Sequence, residues 1–585
     1  MSNINEKQYI ERATLGASSY KPVIRISFHT KDKCYHAFGG EKNELGEPVN
    51  PNDQLLSVST QKTLDTPAGS FTITLVGSQW LKRLMSNDVV VIQMGYAGEK
   101  LTTAMVGLID KVNRRRSMGA DGTPTVNTVI TGRDFGKLLV KDVLKFYPQI
   151  NGIGQTSSSF FLTEPGRINL MSVFTSDSIM RGTPAVILDN IMRFIFTKLN
   201  NVKWSVYDER GKKKQIVSAS QVIRYVFAKI DFFLPFIMTA DQFEGALWNM
   251  MERASIKPFT ELFIDVRDEF EAWKTSEIGR VVPQEVEESS SQNKAKLKSG
   301  AYPSPGFFFG EDRAKVVLVL RETPYDSVLR KKLVTHTINI KDVTDEDLSQ
   351  DDSEHYNLFW AGTTINALGT DLKQVCPPLF NETNARRYGL SPLEVEIEGL
   401  EILESQKATQ ETTLEGMTKK YTAKLKAWFE NNHIYFSGTL TQRGNAKIRI
   451  GHRVIYKDAG FEREFYVEGV SHSWNLYENF TTTLTLTRGQ PIDTNVDHRN
   501  YLPKPPAKPP VKPVAKSKTP AKDTYYTVKK GDTLQSIAQK LYGKYDLWTR
   551  LWDANSKMLT ARDKRNAVHQ GRYIYPGQKL RVPPK

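Results

Sequence analysis

The chain has 585 residues, with 80 Lys and Arg against 65 Asp and Glu, two cysteines, and 39% hydrophobic and 10% aromatic residues. That length suffices for about four domains, and the aromatic content excludes a disordered or fibrous polymer, which lacks the apolar area to offset chain entropy. Cys34 and Cys376 form no CxxC pair, so a disulfide framework and a cysteine-rich metal site are both excluded and a reducing place of synthesis fits.

The net charge of +15 is uneven: 503–522 holds +6 and 523–585 holds +8, which leaves the first 502 residues nearly neutral. A reading of the whole chain as a nucleic-acid binder would misplace that signal. The basic end is read first as a soluble tether and module, with attraction to a polyanion such as teichoic acid or DNA phosphate as the alternative. Met1 to Tyr9 carries no apolar signal core, and the longest apolar runs, such as Phe232 to Met238, fall short of the roughly 18 residues of a membrane span. Neither a secretory nor a membrane route is expected.

Before residue 140 the pattern predicts strand after strand: Val23–Phe28, Leu55–Ser59, Phe71–Leu75, Val89–Ile92, Met105–Ile109 and Val126–Thr131. Phe71, Ile73 and Leu75 alternate with Thr72 and Thr74, a period of two that gives one core face. Between 140 and 300 helical spacing enters. Thr183-Pro184 reads as a cap followed by a first-turn proline, ahead of Ile187, Ile191, Phe194 and Ile195 on one face. Asp241 and Glu244 have capping-box spacing before Leu247, Trp248 and Met251, and Leu262–Val266 reads as a strand. Residues 285–305 read as a mobile loop.

From Val316 strands return, interrupted by a helix carrying Leu414, Met417, Tyr421, Leu425 and Trp428 up to Asn432. Then follow His433–Leu440, Lys447–Ile450, Val454–Tyr456, Phe465–Val470 and Phe480–Thr487, the last with Thr481, Thr483, Thr485 and Thr487 on one face. Ala104 to Arg133 echoes Phe465 to Arg488: each is a strand with an internal glycine, an excursion, and a Thr-rich strand ending at Gly and Arg. Either a duplication or the general likeness of short alternating strands accounts for that echo. Pro503 to Lys522 holds seven prolines and six lysines and reads as a semi-rigid polyproline spacer.

No HExxH, GxSxG, P-loop or Cys and His pair at a catalytic spacing occurs. His433, His452 and His472 read as structural histidines, and Asp345–Asp347 with Asp351 and Asp352 as a solvated charged turn. Gly152-Ile-Gly154 lacks a third glycine and reads as a turn. No catalytic residue, metal ligand or cofactor is assigned.

The hairpin Phe465–Trp474 with Phe480–Gly489 resembles the closing hairpin of tailed-phage baseplate hub proteins, the late-control family. So do Val317-Leu-Val-Leu-Arg321-Glu-Thr-Pro324-Tyr and the N-terminal Phe71–Leu75 with Gly107–Asp110, in the same order. The segment from Tyr526 through Gly531-Asp532-Thr533-Leu534 and Gly543 to Tyr575-Pro576-Gly577-Gln578 and Pro583 resembles a LysM module. Physically it reads as strand, helix, helix, strand: Asp532 caps the first helix, with Gln535 at capping-box distance, and Gly543 takes a left-handed cap. Trp548, Leu551 and Trp552 of the second helix turn inward. The LysM resemblance implies a groove for N-acetylglucosamine chains between Gly531, Asp532, Thr533 and Leu534 on one side and Tyr575, Pro576, Gly577 and Gln578 on the other. Ser556 to Tyr573 is longer and more basic than the usual connection, so wall glycan and another tail component stand as equal ligands of the module.

The expected fold is mixed β and α+β. Residues 1–140 form a first tube-like antiparallel β-barrel, 141–310 a mixed insertion and 311–495 a second barrel; 496–522 is a linker and 523–585 a βααβ LysM module. The resemblance implies a structural homotrimer joining a sixfold tail tube protein to a threefold central spike protein and to other baseplate proteins. DNA passes its lumen unbound, and the place of action is the virion, assembled in the host cytoplasm. The alternatives are a tail-associated peptidoglycan hydrolase targeted by LysM and the hub of a phage-derived contractile injection device.

Overall fold

The computed structural model describes residues 21–39, 54–118, 122, 124–141, 143–144, 181–196, 202–208, 214–228, 236–237, 245–267, 309, 312, 314–324, 327–362, 376–397, 407–458, 460–476, 478–492 and 524–584. The expected loop 285–305, the Gly152–Gly154 turn, the Asp241–Glu244 cap and the 503–522 spacer lie outside them. Contacts divide the chain into two compact units, Met1–Leu502 and Pro503–Lys585.

The large unit opens with β1 (Pro22–His29), β2 (Cys34–Gly39), β3 (Leu55–Thr63), β4 (Ser70–Val76), β5 (Val89–Tyr96), β6 (Thr102–Met118) and β7 (Pro124–Asp134). Its middle holds β8 (Val143–Leu144), β9 (Arg181–Gly182), β10 (Lys203–Tyr207), β11 (Lys214–Ser218), β12 (Ile223–Phe227), β13 (Phe236–Ile237), β14 (Gly245–Ala246), β15 (Thr260–Arg267) and β16 (Lys315–Glu322). It closes with β17 (Thr335–Asn339), β18 (Val343–Ser349), β19 (Leu358–Gly362), β20 (Leu379–Phe380), β21 (Pro392–Glu396), β22 (Phe436–Arg443), β23 (Arg453–Asp458), β24 (Phe461–Asn475) and β25 (Thr481–Gln490). Alternation explains the strands locally: in β4, Phe71, Ile73 and Leu75 are buried while Ser70 and Thr72 face solvent.

The two expected barrel-like regions belong to one continuous sheet. The outer strands form one 13-stranded sheet of order β18-β22-β25-β24-β3-β4-β7-β6-β5-β1-β2, with β17 and β23 joined to β24 off that path. Among the described residues no ladder closes either half; one parallel bridge between Phe38 and Gln54 is what links β2 back toward β3. The fold is mostly β with some helices. Val316–Leu320 also departs from expectation: β16 sits in a three-stranded sheet of order β12-β16-β15, away from the second β region it was expected to begin.

The two halves of the large sheet repeat one strand order. Leaving out β2 from the first half and β19–β21 from the second, the first half runs β3-β4-β7-β6-β5-β1 and the second β18-β22-β25-β24-β23-β17, the same permutation of six strands taken in chain order. Two bulges of the register repeat as well, although further shifts at Ile92/Gln93, Phe436/Gly438 and Glu464/Tyr466 belong to one half each. In β6 an extra residue, Asp110, interrupts pairing with β7; in β24 the extra residue is Glu468, opposite β25. A second bulge falls at Leu56 in β3 and at Thr344 in β18. The polarity differs at one outer strand, since β1 runs antiparallel to β5 and β17 parallel to β23. The glycines of the echo are not equivalent: the bulges set Gly469 opposite Thr485 where the first half has Lys111 opposite Thr131.

Helices pack on the central sheet. Pro184–Asn190 starts after Thr183, whose backbone is extended, and buries Ile187 and Leu188. Leu247–Ser255 buries Leu247, Trp248 and Met251 as spaced. Lys407–Phe429 buries Met417, Tyr421, Leu425 and Trp428 in the same core as Leu318, Leu320 and Phe259. No helix of the described residues is long and apolar enough to cross a membrane.

The small unit is β26 (Thr524–Thr527), a helix Leu534–Tyr542, a helix Trp548–Arg562, a short turn of helix Asn566–His569, and β27 (Lys579–Val582) antiparallel to β26. Leu534, Ile537, Ala538, Tyr542, Leu551, Leu559, Leu580 and Val582 form its core, with Trp548 and Trp552 packed partly buried against it.

Candidate functional site

In the small unit the end of β26 meets the expected loop 575–578. Val528 donates its N–H to the Gln578 carbonyl, and Gly577 donates to the Val528 carbonyl, both at 2.8 Å. Gly543 is left-handed, φ 76°, and ends the first helix as expected. The N-cap is corrected by one residue: Thr533 accepts from Ser536 N–H and Ser536 reciprocates, so the capping box is Thr533 with Ser536. Asp532 serves the loop. Its side chain, 5% exposed, accepts from Lys540 Nζ at 2.8 Å, Lys529 N–H at 2.8 Å and the Tyr526 hydroxyl at 2.9 Å. Those partners, Lys540 foremost, hold its carboxyl down to about 2.

The opposite loop is organised by Gln578, whose Oε1 accepts from Tyr575 N–H at 2.8 Å. Gln578 is 8% exposed, and its Nε2 is a buried donor with no partner in the structure. Gly531 and Gly577 are left-handed with open space where a Cβ would sit, and Tyr575 is 40% exposed. Of the eight expected residues, Leu534 is core and Thr533 a cap; Gly531, Tyr575, Pro576 and Gly577 are exposed.

Sequence reasoning missed what stiffens the long connection. Asp563 accepts from Arg565 and, at 2.8 Å, from the Tyr575 hydroxyl, and Arg565 lies 4.0 Å over the Tyr573 ring. Asn566, fully buried, donates to the Leu559 and Tyr573 carbonyls and accepts from Tyr573 N–H. The Asp563-Lys-Arg565 triplet with two tyrosines ten residues later was the available signal.

In the large unit the expected histidines do not converge. His472 contacts Thr482 Oγ1 at 2.9 Å, and burial holds it down to about 3. His452 stacks on His336 and bonds Arg267, while His433 packs against His355 and Tyr388. No group of three or more His, Cys, Asp or Glu among the described residues is placed to hold a metal ion. Arg321 of the Arg-Glu-Thr-Pro strand end is buried, bonding Glu261 Oε2 at 3.0 Å, the Gly451 carbonyl and the Tyr466 hydroxyl at 2.9 Å each, and so ties the central sheet to the second β half. A cavity of about 240 Å³ lies where the β5–β6 turn meets 442–447, lined by Tyr96, Lys100, Arg443, Asn445 and Phe480 among others. Asp345–Asp347, expected as a turn, is the centre of strand β18.

Residues 526–561 match the LysM domain family. An uncharacterized protein of Bacillus subtilis (strain 168), YqbP, is 41% identical over 93 residues, which is 16% of this chain and 42% of YqbP. The chain thus spans about two fifths of the length of that curated relative. The chain is also similar to two solved structures. One is the 43 kDa tail protein of prophage MuSo2 from Shewanella oneidensis (10% identity, TM-score 0.39). The other is the tail protein from Neisseria meningitidis MC58 (11%, TM-score 0.41). Each similarity covers 79% of this chain and 96% of the other.

Proposed function

We propose that the chain is a structural hub of a tail baseplate, a homotrimer that presents six like β units to a sixfold tail tube and threefold contacts to a central spike. The single observation that carries this reading is the repeated strand order and bulge register of the two halves. Three copies with two equivalent units each resolve the mismatch between six and three, and repeated heterologous contacts close into rings. The near-neutral first 502 residues suit a lumen through which DNA passes without sticking. On this reading divisions near 140, 495 and 522 separate the first tube-like half, the spacer and the module from the rest, and the insertion extends past 310 to take in β16 before the second half begins at β17. Other baseplate proteins are its neighbours, and it acts in the virion after assembly in the host cytoplasm. Negative-stain class averages of the full chain should give a ring of three copies with a sixfold-like outline. A monomer or a hexamer would overturn the reading.

The LysM module holds peptidoglycan or another tail component against the exposed Gly531, Tyr575, Pro576 and Gly577. We read the chain as non-enzymatic. Full-length protein should release no muropeptide or reducing sugar from purified peptidoglycan; release abolished by substituting one acidic residue would instead support the hydrolase.

A further inference from the structure

The repeat carries a consequence for how copies meet. Within the chain the two halves are joined by β24 pairing with β3, Gly469–Asn475 running antiparallel to Thr63–Ser57. By the shared strand order and bulges, β6 occupies in the first half the place of β24, and β18 occupies in the second half the place of β3. Both of those strands have an open edge. Beyond Ile109, β6 is paired with β7 alone among the described residues, and β18 is paired with β22 alone.

The two edges carry opposite charge. Lys111, Arg114, Arg115 and Arg116 are exposed on the projecting end of β6, and Asp345, Glu346 and Asp347 are exposed on β18, followed by exposed Asp351. We infer that β6 of one copy pairs antiparallel with β18 of the next, repeating between chains the ladder that β24 and β3 form within one.

The in-chain register, carried over residue by residue through the bulges, then fixes the new one. Gly469 opposite Thr63 becomes Lys111 opposite Asp351, Ser473 opposite Ser59 becomes Arg115 opposite Asp347, and Trp474 opposite Val58 becomes Arg116 opposite Glu346. Asn475 opposite Ser57 becomes Ser117 opposite Asp345. Three opposite-charge pairs fall directly across the ladder although charge played no part in deriving the register. Glu346 already accepts from the Tyr456 hydroxyl, which orients its carboxylate. Exposed charge also guards an edge against unwanted pairing: two β6 ends repel, as do two β18 edges, so head-to-tail contact is what remains.

This inference rests on the trimeric hub reading, and the test separates the two. The mass of the full chain is measured by sedimentation for the natural sequence, for Arg115→Glu with Arg116→Glu, and for that pair combined with Glu346→Arg and Asp347→Arg. The expected results are a trimer, loss of the trimer, and its return, with unchanged circular dichroism throughout. In a Cys34→Ala background, Ser117→Cys with Asp345→Cys should give a disulfide-linked ladder up to three chains on a non-reducing gel, which decides the matter if a charge variant misfolds. A natural trimer that survives charge reversal and does not cross-link overturns the strand pairing and leaves the hub standing. A natural chain that is monomeric overturns both.

Discussion

Glu464 accepts from Arg330 Nε at 3.0 Å and from the Arg453 guanidinium, with all three side chains under 9% exposed. Removing its charge takes an anionic partner from two buried cations, and breaking a buried ion pair costs about 3–5 kcal/mol. Glu464→Gln should lower the urea midpoint of the body accordingly, whereas the same change at exposed Glu462 should leave it within about 0.5 kcal/mol. The bulge residue Glu468 behaves oppositely. Burial, then the nearby Asp65, raises its carboxyl to about 7, with Glu354 and Glu261 adding and Arg488 opposing. A raised folded value means the fold holds the proton, so stability is highest below about 4.5 and declines as pH climbs through about 7. Glu468→Gln should therefore be more stable than the natural protein at pH 8, by up to about 3 kcal/mol before solvent screening, and no more stable at pH 4; equal urea midpoints at pH 8 would refute this. Neither role was legible in the sequence, because the partners of Glu464 lie 134 and 11 positions away and burial of a single acid has no local signature.

Whole elements were easier to read than single side chains. The alternating strands before 140, the Pro184 helix and the Lys407–Phe429 face all formed where apolar spacing put them. The failures have physical reasons. Lys447–Ile450 alternates like a strand, but it is a turn in which Ile448 and Ile450 are buried and Arg449 reaches the Thr103 carbonyl at 2.6 Å. In β18 the acids face water on an edge strand, so polarity there reported exposure and not the absence of a strand. The long connection of the LysM module was legible in outline only, since the fold of 563–573 depends on Asn566 and on Gly571. Gly571 has φ 80°, and a Cβ there would sit 2.3 Å from Leu534 Cδ1 and 2.9 Å from Trp552. Gly571→Ala should destabilise the isolated module by about 2–3 kcal/mol, visible as a lower Tm; Gly531→Ala, which meets open space, should cost about 1 kcal/mol.

At the scale of the molecule, the charge asymmetry makes a separate prediction for the small unit. Residues 523–585 have a complete apolar core and should fold alone, leaving the body folded when removed. If wall glycan is the ligand, retention on peptidoglycan should survive about 0.5 M salt, at which exposed charges more than a few ångströms apart are screened. Gly577→Asn, which tolerates the left-handed backbone, should weaken that retention by placing a side chain in the open space beside Gly577. Retention that vanishes with salt, or ignores Gly577→Asn, would favour a tail component as the ligand. The internal echo was legible as a likeness between hairpins, yet its glycines gave the wrong alignment. Register is set by Asp110 and Glu468, and an extra residue in a strand leaves no mark in apolar periodicity.

A strand that belongs to two ladders also has mechanical meaning. Since β24 bonds β25 in its own half and β3 in the other, traction that draws the halves apart loads many backbone hydrogen bonds at once, and neither half can let go before that seam shears. Stretched by its ends in a single-molecule experiment, the body should rupture in one dominant force peak.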